Sequence, residues 1–393
     1  MSPSRVLVNL CWLLPGVVGG SEESTTDALR ALLATRDGEF ELELAVLPAF
    51  TAAHPDLAGA LRCHVAPFGQ GSKARRVLLE QTWLAGLTRR RRPDLVHHAG
   101  GVVPLVHPGA TVVTIHDLQP LEHPENFGWV KRNYLGAMIG RSARAARVVC
   151  VPSRFTADRV VELLGITPDR VVVVPWPVAQ RAGTPDAAPA GPEGLYPGWR
   201  PGRRFVLYPA ITYPHKRHGL LLDAFAELAE QMPELDLVLT GVSGPCEEDL
   251  AAAIDARGLR PRVARLGRVP LARLERLYRA AALVALPSNY EGFGLPALEA
   301  MTAGVPVVAA AEGSLIELLP RAWTVSGDDP TVWAAALARV LGLTPAQRTE
   351  RVHTGEAIAA SFTPARTATA LASAYRMALD GPPPTRPRSD QDD

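Results

Sequence analysis

One repeated alternation most limits the folds open to this chain. Short, nearly unbroken runs of Val, Leu and Ile are separated by stretches with helical spacing. In the first half the runs are "RVLVNLCWL", "ELELAVLP", "DLVHHAG", "ATVVTIHD", "ARVVCVPS" and "DRVVVVPWP". A strand with one wet face would alternate apolar and polar residues. These runs do not, so both faces must be covered, as in a parallel sheet with helices on either side. Residues 178–204 then break the texture with Pro, Gly and Ala, which reads as a connection plus a polar loop. The alternation resumes with "RFVLYPA", "LDLVLTG", "RVARLG", "LVALPS" and "VPVVAAA".

The expected fold is therefore α/β, with two doubly wound Rossmann-like domains facing a cleft. A length of 393 residues suits two cores better than one. The expected limits are 1–180 for the first domain, 181–202 for a linker and 203–365 for the second domain. A C-terminal helix over 366–380 is free to return to the first domain, and 381–393 reads as a disordered tail. Ligands of such sheets bind at the carboxyl ends of the strands, so the chemistry is expected where the two sets of strand ends face each other. The opening "VLVNLCWLLPGVVGG" could pass for a signal peptide. Asn9 and Pro15 interrupt it, and a buried first strand is the better reading.

A net charge of +1 gives no steering toward nucleic acid, and none is expected as a partner. Cys11, Cys63, Cys150 and Cys246 stand far apart with no paired spacing, which argues for reduced thiols and against zinc. No run of about 20 apolar residues marks a spanning helix. "KARRVLLEQTWLAGLTRRRRPD", near 73–92, reads as a core helix whose basic last turn suits the helix dipole. A basic amphipathic helix touching anionic lipid is the alternative. The expected location is cytoplasmic, either free or peripheral to the inner face of the plasma membrane.

"NYEGFGLPALEA", residues 289–300, follows the end of the strand "LVALPS". Gly292 and Gly294 allow a bend and a close approach, and Pro296 suits the first position of a helix. The amides of Phe293, Gly294 and Leu295 would then point out of the helix start, where phosphate is favoured. Glu291 and Glu299, eight positions apart, flank that point. Carboxylates accept well from hydroxyls. A diphosphate with polyols on both sides is a nucleotide-sugar, with Glu291 on the hexose and Glu299 on the ribose. The bland reading is a solvated helix start with incidental charges. Lys216, in the loop after "RFVLYPA", could neutralise charge on a departing diphosphate.

"EGFGLPALEAMTAGVPVV" resembles the E-x7-E signature of the family 4 retaining glycosyltransferases, which have the GT-B fold. "GGSEE", "VVTIHD", "VPSRFTADRV", "VVVVPWPV" and "YPAITYPHKRHGLLLDAFAEL" are similar to other segments of that family. The resemblance implies a hexosyltransferase whose first domain takes the acceptor and whose second takes the donor, while the high Ala, Arg, Pro and Gly content suggests a GC-rich bacterial source. It implies catalytic roles for Glu291, Lys216 and His116. Donor contacts are implied for Gly20, Arg268, Val269, Glu291, Gly292, Phe293, Gly294, Leu295 and Glu299, and acceptor contacts for Gly19, His98 and Asp117. The donor would be a UDP-, GDP- or dTDP-hexose, with no cofactor. The acceptor would be a glycan, a glycolipid or a small metabolite, in envelope polysaccharide or specialised-metabolite synthesis. No Asp-x-Asp metal motif accompanies the site, so a metal-independent, mannosyltransferase-like reaction is expected.

The sequence departs from the common family pattern in one place. The region before Lys216 reads "PAIT", without the arginine that many members place there, so Lys216 with backbone amides, or else Arg217 or Arg268, could take up that load. A nucleotide-sugar epimerase, a sugar phosphorylase or a non-catalytic sugar-binding subunit on the same fold are the rivals.

Overall fold

The computed structural model describes residues 2–17, 19–35, 38–67, 73–107, 109–178 and 194–381. The chain divides into two units. One holds Met1–Pro177 together with Thr363–Asp393, and the other Val178–Phe362.

The first unit is built on seven strands: β1 (Ser4–Asn9), β2 (Phe40–Val46), β3 (Arg62–Val65), β4 (Leu95–His98), β5 (Ala110–Thr114), β6 (Val148–Val151) and β7 (Val171–Val173). Their order is β3-β2-β1-β4-β5-β6-β7, and every pair is parallel. The opening apolar run is thus the central strand, with Val6, Leu7 and Val8 wholly buried. Strand β3, "RCHV", was not anticipated. It lies at the sheet edge, where no apolar run is needed to bury it. The last helix, Pro364–Asp380, begins two residues earlier than expected, because Thr363 caps it by accepting from the Arg366 amide. It lays Ala368, Leu371, Tyr375 and Ala378 into the core formed with β1 and β2, a stripe at helical spacing.

The second unit has β8 (Arg204–Pro209), β9 (Leu235–Thr240), β10 (Val263–Arg265), β11 (Leu283–Leu286), β12 (Val307–Ala310) and β13 (Thr324–Val325). The order is β10-β9-β8-β11-β12-β13, again all parallel. Two-residue β13 is too short to show a pattern in the sequence. Each sheet therefore reverses its winding in the middle, between β1 and β4 in one and between β8 and β11 in the other. Crevices open outside the strand ends at such switch points.

Two expectations need correction. Of the linker expected over 181–202, residues 181–193 lie outside the described residues, but 194–202 belong to the second unit. Leu195 and Tyr196 are buried there. The Tyr196 hydroxyl donates to Asp236 at 2.9 Å, and its ring meets Phe205 edge-on. Flanking Pro and Gly hid two core side chains. The tail beyond Gly381 also lies outside the described residues. The basic segment is not one regular helix. It runs Lys73–Leu79, then a π-helical turn Glu80–Leu84, then Ala85–Arg91. Leu79, Leu84 and Leu87 pack against Leu7 and Leu47, while Arg91 pairs with Glu43. Among the described residues, no helix is long and apolar enough to cross a membrane.

Candidate functional site

At the second unit's switch point, two loops are sewn together. After β8 the chain makes a tight turn, Pro214–Lys216, before the helix His218–Gln231. Between them Arg217 is left-handed, at φ 46°, a conformation that non-glycine residues adopt only when held. Its Nε donates to the Pro287 carbonyl at 2.6 Å, and its guanidinium pairs with Asp328. The buried Tyr208 hydroxyl donates to the Lys216 carbonyl at 2.6 Å and lies 3.2 Å from Ser288 Oγ. The Asn289 amide donates to the His215 carbonyl at 3.0 Å. The result is that Lys216 Nζ donates to Glu291 Oε1 at 2.5 Å, with the side chains only 17% and 13% exposed.

The region "PAIT" is pinned differently. Thr212 Oγ1 accepts from the Gly244 amide at 2.6 Å and donates to Glu247 at 2.8 Å. Arg265, ending β10, forks onto the same carboxylate at 2.9 and 2.8 Å and holds it below the usual range. A Cβ on Gly241 or Gly244 would strike the backbone of Ala210 or Thr212, at 2.4 and 2.8 Å. His218 packs on Tyr208 at 4.7 Å. Burial first, then Arg265 and Lys216, push it down to about 4, so it is neutral at pH 7.

The glycine loop opens the helix Leu295–Thr302, capped by Gly294 at φ 87°. Pro296 is at the second helical position, not the first, because Leu295 is already helical. Gly294 is required twice over: for its left-handed backbone, and because a Cβ would come within 3.0 Å of Leu315. Among the described residues nothing accepts from the amides of Gly294 and Leu295, whereas Ala297 N donates to the Gly294 carbonyl. Phe293 is buried edge-on to Phe362. Glu291 is held from behind. Its carbonyl accepts from the Ser314 amide, and a Cβ on Gly313 would lie 2.7 Å from that same oxygen. The helix ends at Gly304, φ 70°, with Val305 N reaching back to the Ala300 carbonyl. Glu299 accepts from the Tyr278 hydroxyl at 2.7 Å. Arg268 is exposed and Val269 partly so, following β10.

In the first unit Gly19, φ 70°, precedes the helix Gly20–Ala34, and both glycines are exposed. Glu22 braces that loop by accepting from the Gly16 amide at 2.7 Å, and it pairs with His54 at 3.0 Å. His116 follows β5. Its Nε2 donates to the Ala99 carbonyl at 2.8 Å, and its ring lies 5.5 Å from both Trp12 and Trp176. Burial pushes it down to about 4. A cavity of about 30 Å³, room for one water, adjoins it between Ser24, Thr25 and Trp176. His97 is spoken for by Tyr375 at 2.9 Å and Thr114 at 2.7 Å. His98 accepts from Asn9 at 3.3 Å and, like His97, is pushed down to about 3, first by burial. Asp117 accepts from the Gln119 amide at 3.1 Å and so supports the turn after His116. Trp12, Glu80, Tyr278, Gly313 and the Thr212–Glu247–Arg265 cluster carried no signal in the sequence, because their partners are distant in the chain.

Two family models match, one described as Glycosyltransferase Family 4 over residues 18–179 and one as Glycosyl transferases group 1 over residues 197–349. Relatives include the D-inositol 3-phosphate glycosyltransferases of Segniliparus rotundus, 30% identical over 71% of this chain and 62% of that one, and of Actinosynnema mirum, 31% over 71% and 68%. The O-antigen chain mannosyltransferase B of Escherichia coli is 32% identical over 58% of this chain and 60% of its own. The chain thus spans about three fifths of the length of the first relatives it matches. Among solved structures, sucrose-phosphate synthase from Thermosynechococcus elongatus superposes with a TM-score of 0.73 at 18% identity, covering 95% of this chain and 98% of that one. A Rickettsia africae glycosyltransferase gives 0.71 at 14%, covering 97% and 100%.

Proposed function

Because the chain belongs to the glycosyltransferases of family 4 and group 1, with the GT-B fold, we propose that it moves a hexosyl group from a nucleotide diphosphate sugar to an acceptor hydroxyl, with retention at the anomeric carbon. One observation carries this reading: Lys216 and Glu291 pair at the β8–β11 switch point, on a loop that continues into the open amides of Gly294 and Leu295.

In the resting site the two charges answer each other, so neither is stranded in a partly buried place. A diphosphate laid on the Gly294 and Leu295 amides draws Lys216 to itself. Glu291 is then released to accept from a hexose hydroxyl, and Glu299 accepts from the ribose. The bond from the anomeric carbon to the diphosphate oxygen breaks, and one to the acceptor oxygen forms. The charge that grows on the leaving group meets Lys216 and fixed amide dipoles, which need no rearrangement at that moment. A diphosphate oxygen takes the acceptor's proton. Gly20, Arg268, Val269, Gly292 and Phe293 shape the donor's surroundings, Gly19 and His98 face the acceptor, and Asp117 supports the turn that carries His116.

UDP-, GDP- and dTDP-hexoses are the donors to test, and glycans, glycolipids and small metabolites the acceptors. The Anabaena protein HepE, of the same fold at 20% identity, was solved with UDP and glucose, which puts UDP-glucose first in the panel. The test is release of nucleotide diphosphate from each donor with and without acceptor. Release in wild type and its loss in Lys216→Ala and Glu291→Gln is expected. Equal release in both variants would refute the assignment, and dependence on inorganic phosphate would point to a phosphorylase.

A further inference from the structure

The missing arginine before Lys216 leaves Arg217 as one candidate to meet a diphosphate, but the structure commits its side chain elsewhere. Arg217 stands between the turn Pro214–Lys216 and the helix His218–Gln231, with φ 46° and ψ 47°. A residue that caps a helix start normally has extended backbone. Glycine would take the left-handed conformation at no steric cost, whereas arginine keeps it only where its surroundings hold it. Among the described residues one other non-glycine residue is left-handed, Arg92. That one is exposed at the end of a helix, an ordinary place for the conformation. The Arg217 side chain, by contrast, is 13% exposed.

What holds Arg217 is its guanidinium. Nε donates to the Pro287 carbonyl at 2.6 Å, in the loop after β11, and Nη1 donates to Asp328, in the loop after β13. One side chain rooted after β8 thus ties down the loops that follow two other strands. The outer partner, Asp328, is a surface acid, 70% exposed. The inner partner, the Pro287 carbonyl, lies four residues before Glu291. Beside this latch the Tyr208 hydroxyl donates to the Lys216 carbonyl, and the Asn289 amide donates to the His215 carbonyl. Lys216 and Glu291 therefore meet from two loops that Arg217 joins.

We propose that Arg217 is a positioning residue. Its bonds to Pro287 and Asp328 hold the Lys216 and Glu291 loops in register, and it makes no contact with the nucleotide diphosphate. Charge on the leaving group is left to Lys216 and the Gly294 and Leu295 amides. Through Arg217, an acid on the surface controls how firmly Lys216 is placed. The effect on turnover rests on the transferase reading above; the effect on Lys216 itself does not.

The experiment therefore has two readouts. The chain has three lysines, at 73, 131 and 216, so reductive methylation of the full chain, followed by peptide mass spectrometry, reports Lys216 separately, with exposed Lys131 as the internal reference. Lys216 is paired and 17% exposed, and it should react slowly. Arg217→Gly keeps the left-handed backbone and removes the guanidinium. It should raise Lys216 labelling about tenfold relative to Lys131, the effect of losing one bond to a charged group. Asp328→Ala, which removes the outer partner alone, should raise it less. Arg217→Gly should also lower release of nucleotide diphosphate about 10–10²-fold, as for a misplaced catalytic group, while affinity for UDP changes less than about threefold. Millimolar ethylguanidinium should restore part of the turnover. Unaltered Lys216 labelling in both Arg217→Gly and Asp328→Ala would overturn the proposal. So would normal turnover in Arg217→Gly beside impaired turnover in Arg217→Ala, because backbone shape alone would then place Lys216. A loss of UDP affinity as large as the loss of turnover would put Arg217 on the diphosphate and overturn it too. A wild-type chain that releases nucleotide diphosphate from no donor loses the transferase reading, and the labelling still decides the latch. A chain that releases it, with labelling unaltered in both variants, keeps the reading and loses the latch.

Discussion

The two switch points share one topology and differ in chemistry. At β8–β11 the loops after the strands bring together a charged pair, Lys216 and Glu291. At β1–β4 the sheet presents Asn9 and His98, with the Glu80 carboxyl beside Asn9 held near neutrality by burial. A diphosphate brings charge and suits a cation and free amides. The fold sets where the strand ends meet, and the side chains carried there set the charge of each switch point.

The largest expected effect breaks the charged side alone. Lys216→Ala should lower turnover about 10²–10³-fold, the usual cost of one leaving-group contact, with an unchanged far-ultraviolet dichroism spectrum. An effect under tenfold would mean that leaving-group charge is met elsewhere. The next effect separates the units by acid. Among the described residues, His97, His98 and His116 of the first unit and His218 of the second are held neutral when folded. Below about pH 6.5 the unfolded chain binds protons that the folded chain refuses, so stability falls as pH drops toward 3–4. Each such histidine costs up to about 1.4 kcal/mol per pH unit. Hydrogen exchange at pH 5 should therefore show β4 and β5 opening before β8 and β11; the opposite order would contradict the assigned burial.

A smaller effect tests how Glu291 is positioned. Gly313→Ala should destabilise by roughly 1–3 kcal/mol through its left-handed backbone, and should lower turnover more than it lowers nucleotide affinity. A proportionate loss of both would assign it to folding alone. The smallest effect expected is from EDTA. If Lys216 and the amides meet the leaving charge, turnover should be unaltered, and loss restored by a divalent ion would refute that mechanism.

Much of this was legible in the chain. Near-continuous Val and Leu runs announced buried parallel strands, because a strand covered on both faces has no polar side to show. The glycine loop with an acid on either side announced a turn into a helix at the end of a strand, because a helix start, a left-handed glycine and their neighbours are local features. Where burial was partial the signal faded. Edge strand β3 needed no apolar run, and Tyr196 sat inside a Pro- and Gly-rich stretch. The basic segment looked like a single helix, because one residue gained in a π turn leaves composition unaltered.

The sequence by itself determined the class of fold, the alternation of elements and the glycine loop that opens the helix after β11, since each depends on neighbours a few positions away. Only the tertiary structure decided that Lys216 and Glu291, 75 positions apart, form a pair, that Tyr278 takes up Glu299, and that Asn9, Glu80 and His98 share one buried place. Those outcomes depend on which strand ends the crossovers bring side by side, and on burial that moves a carboxyl to neutrality and holds histidines uncharged. Neither quantity belongs to a residue until its neighbours in space are known.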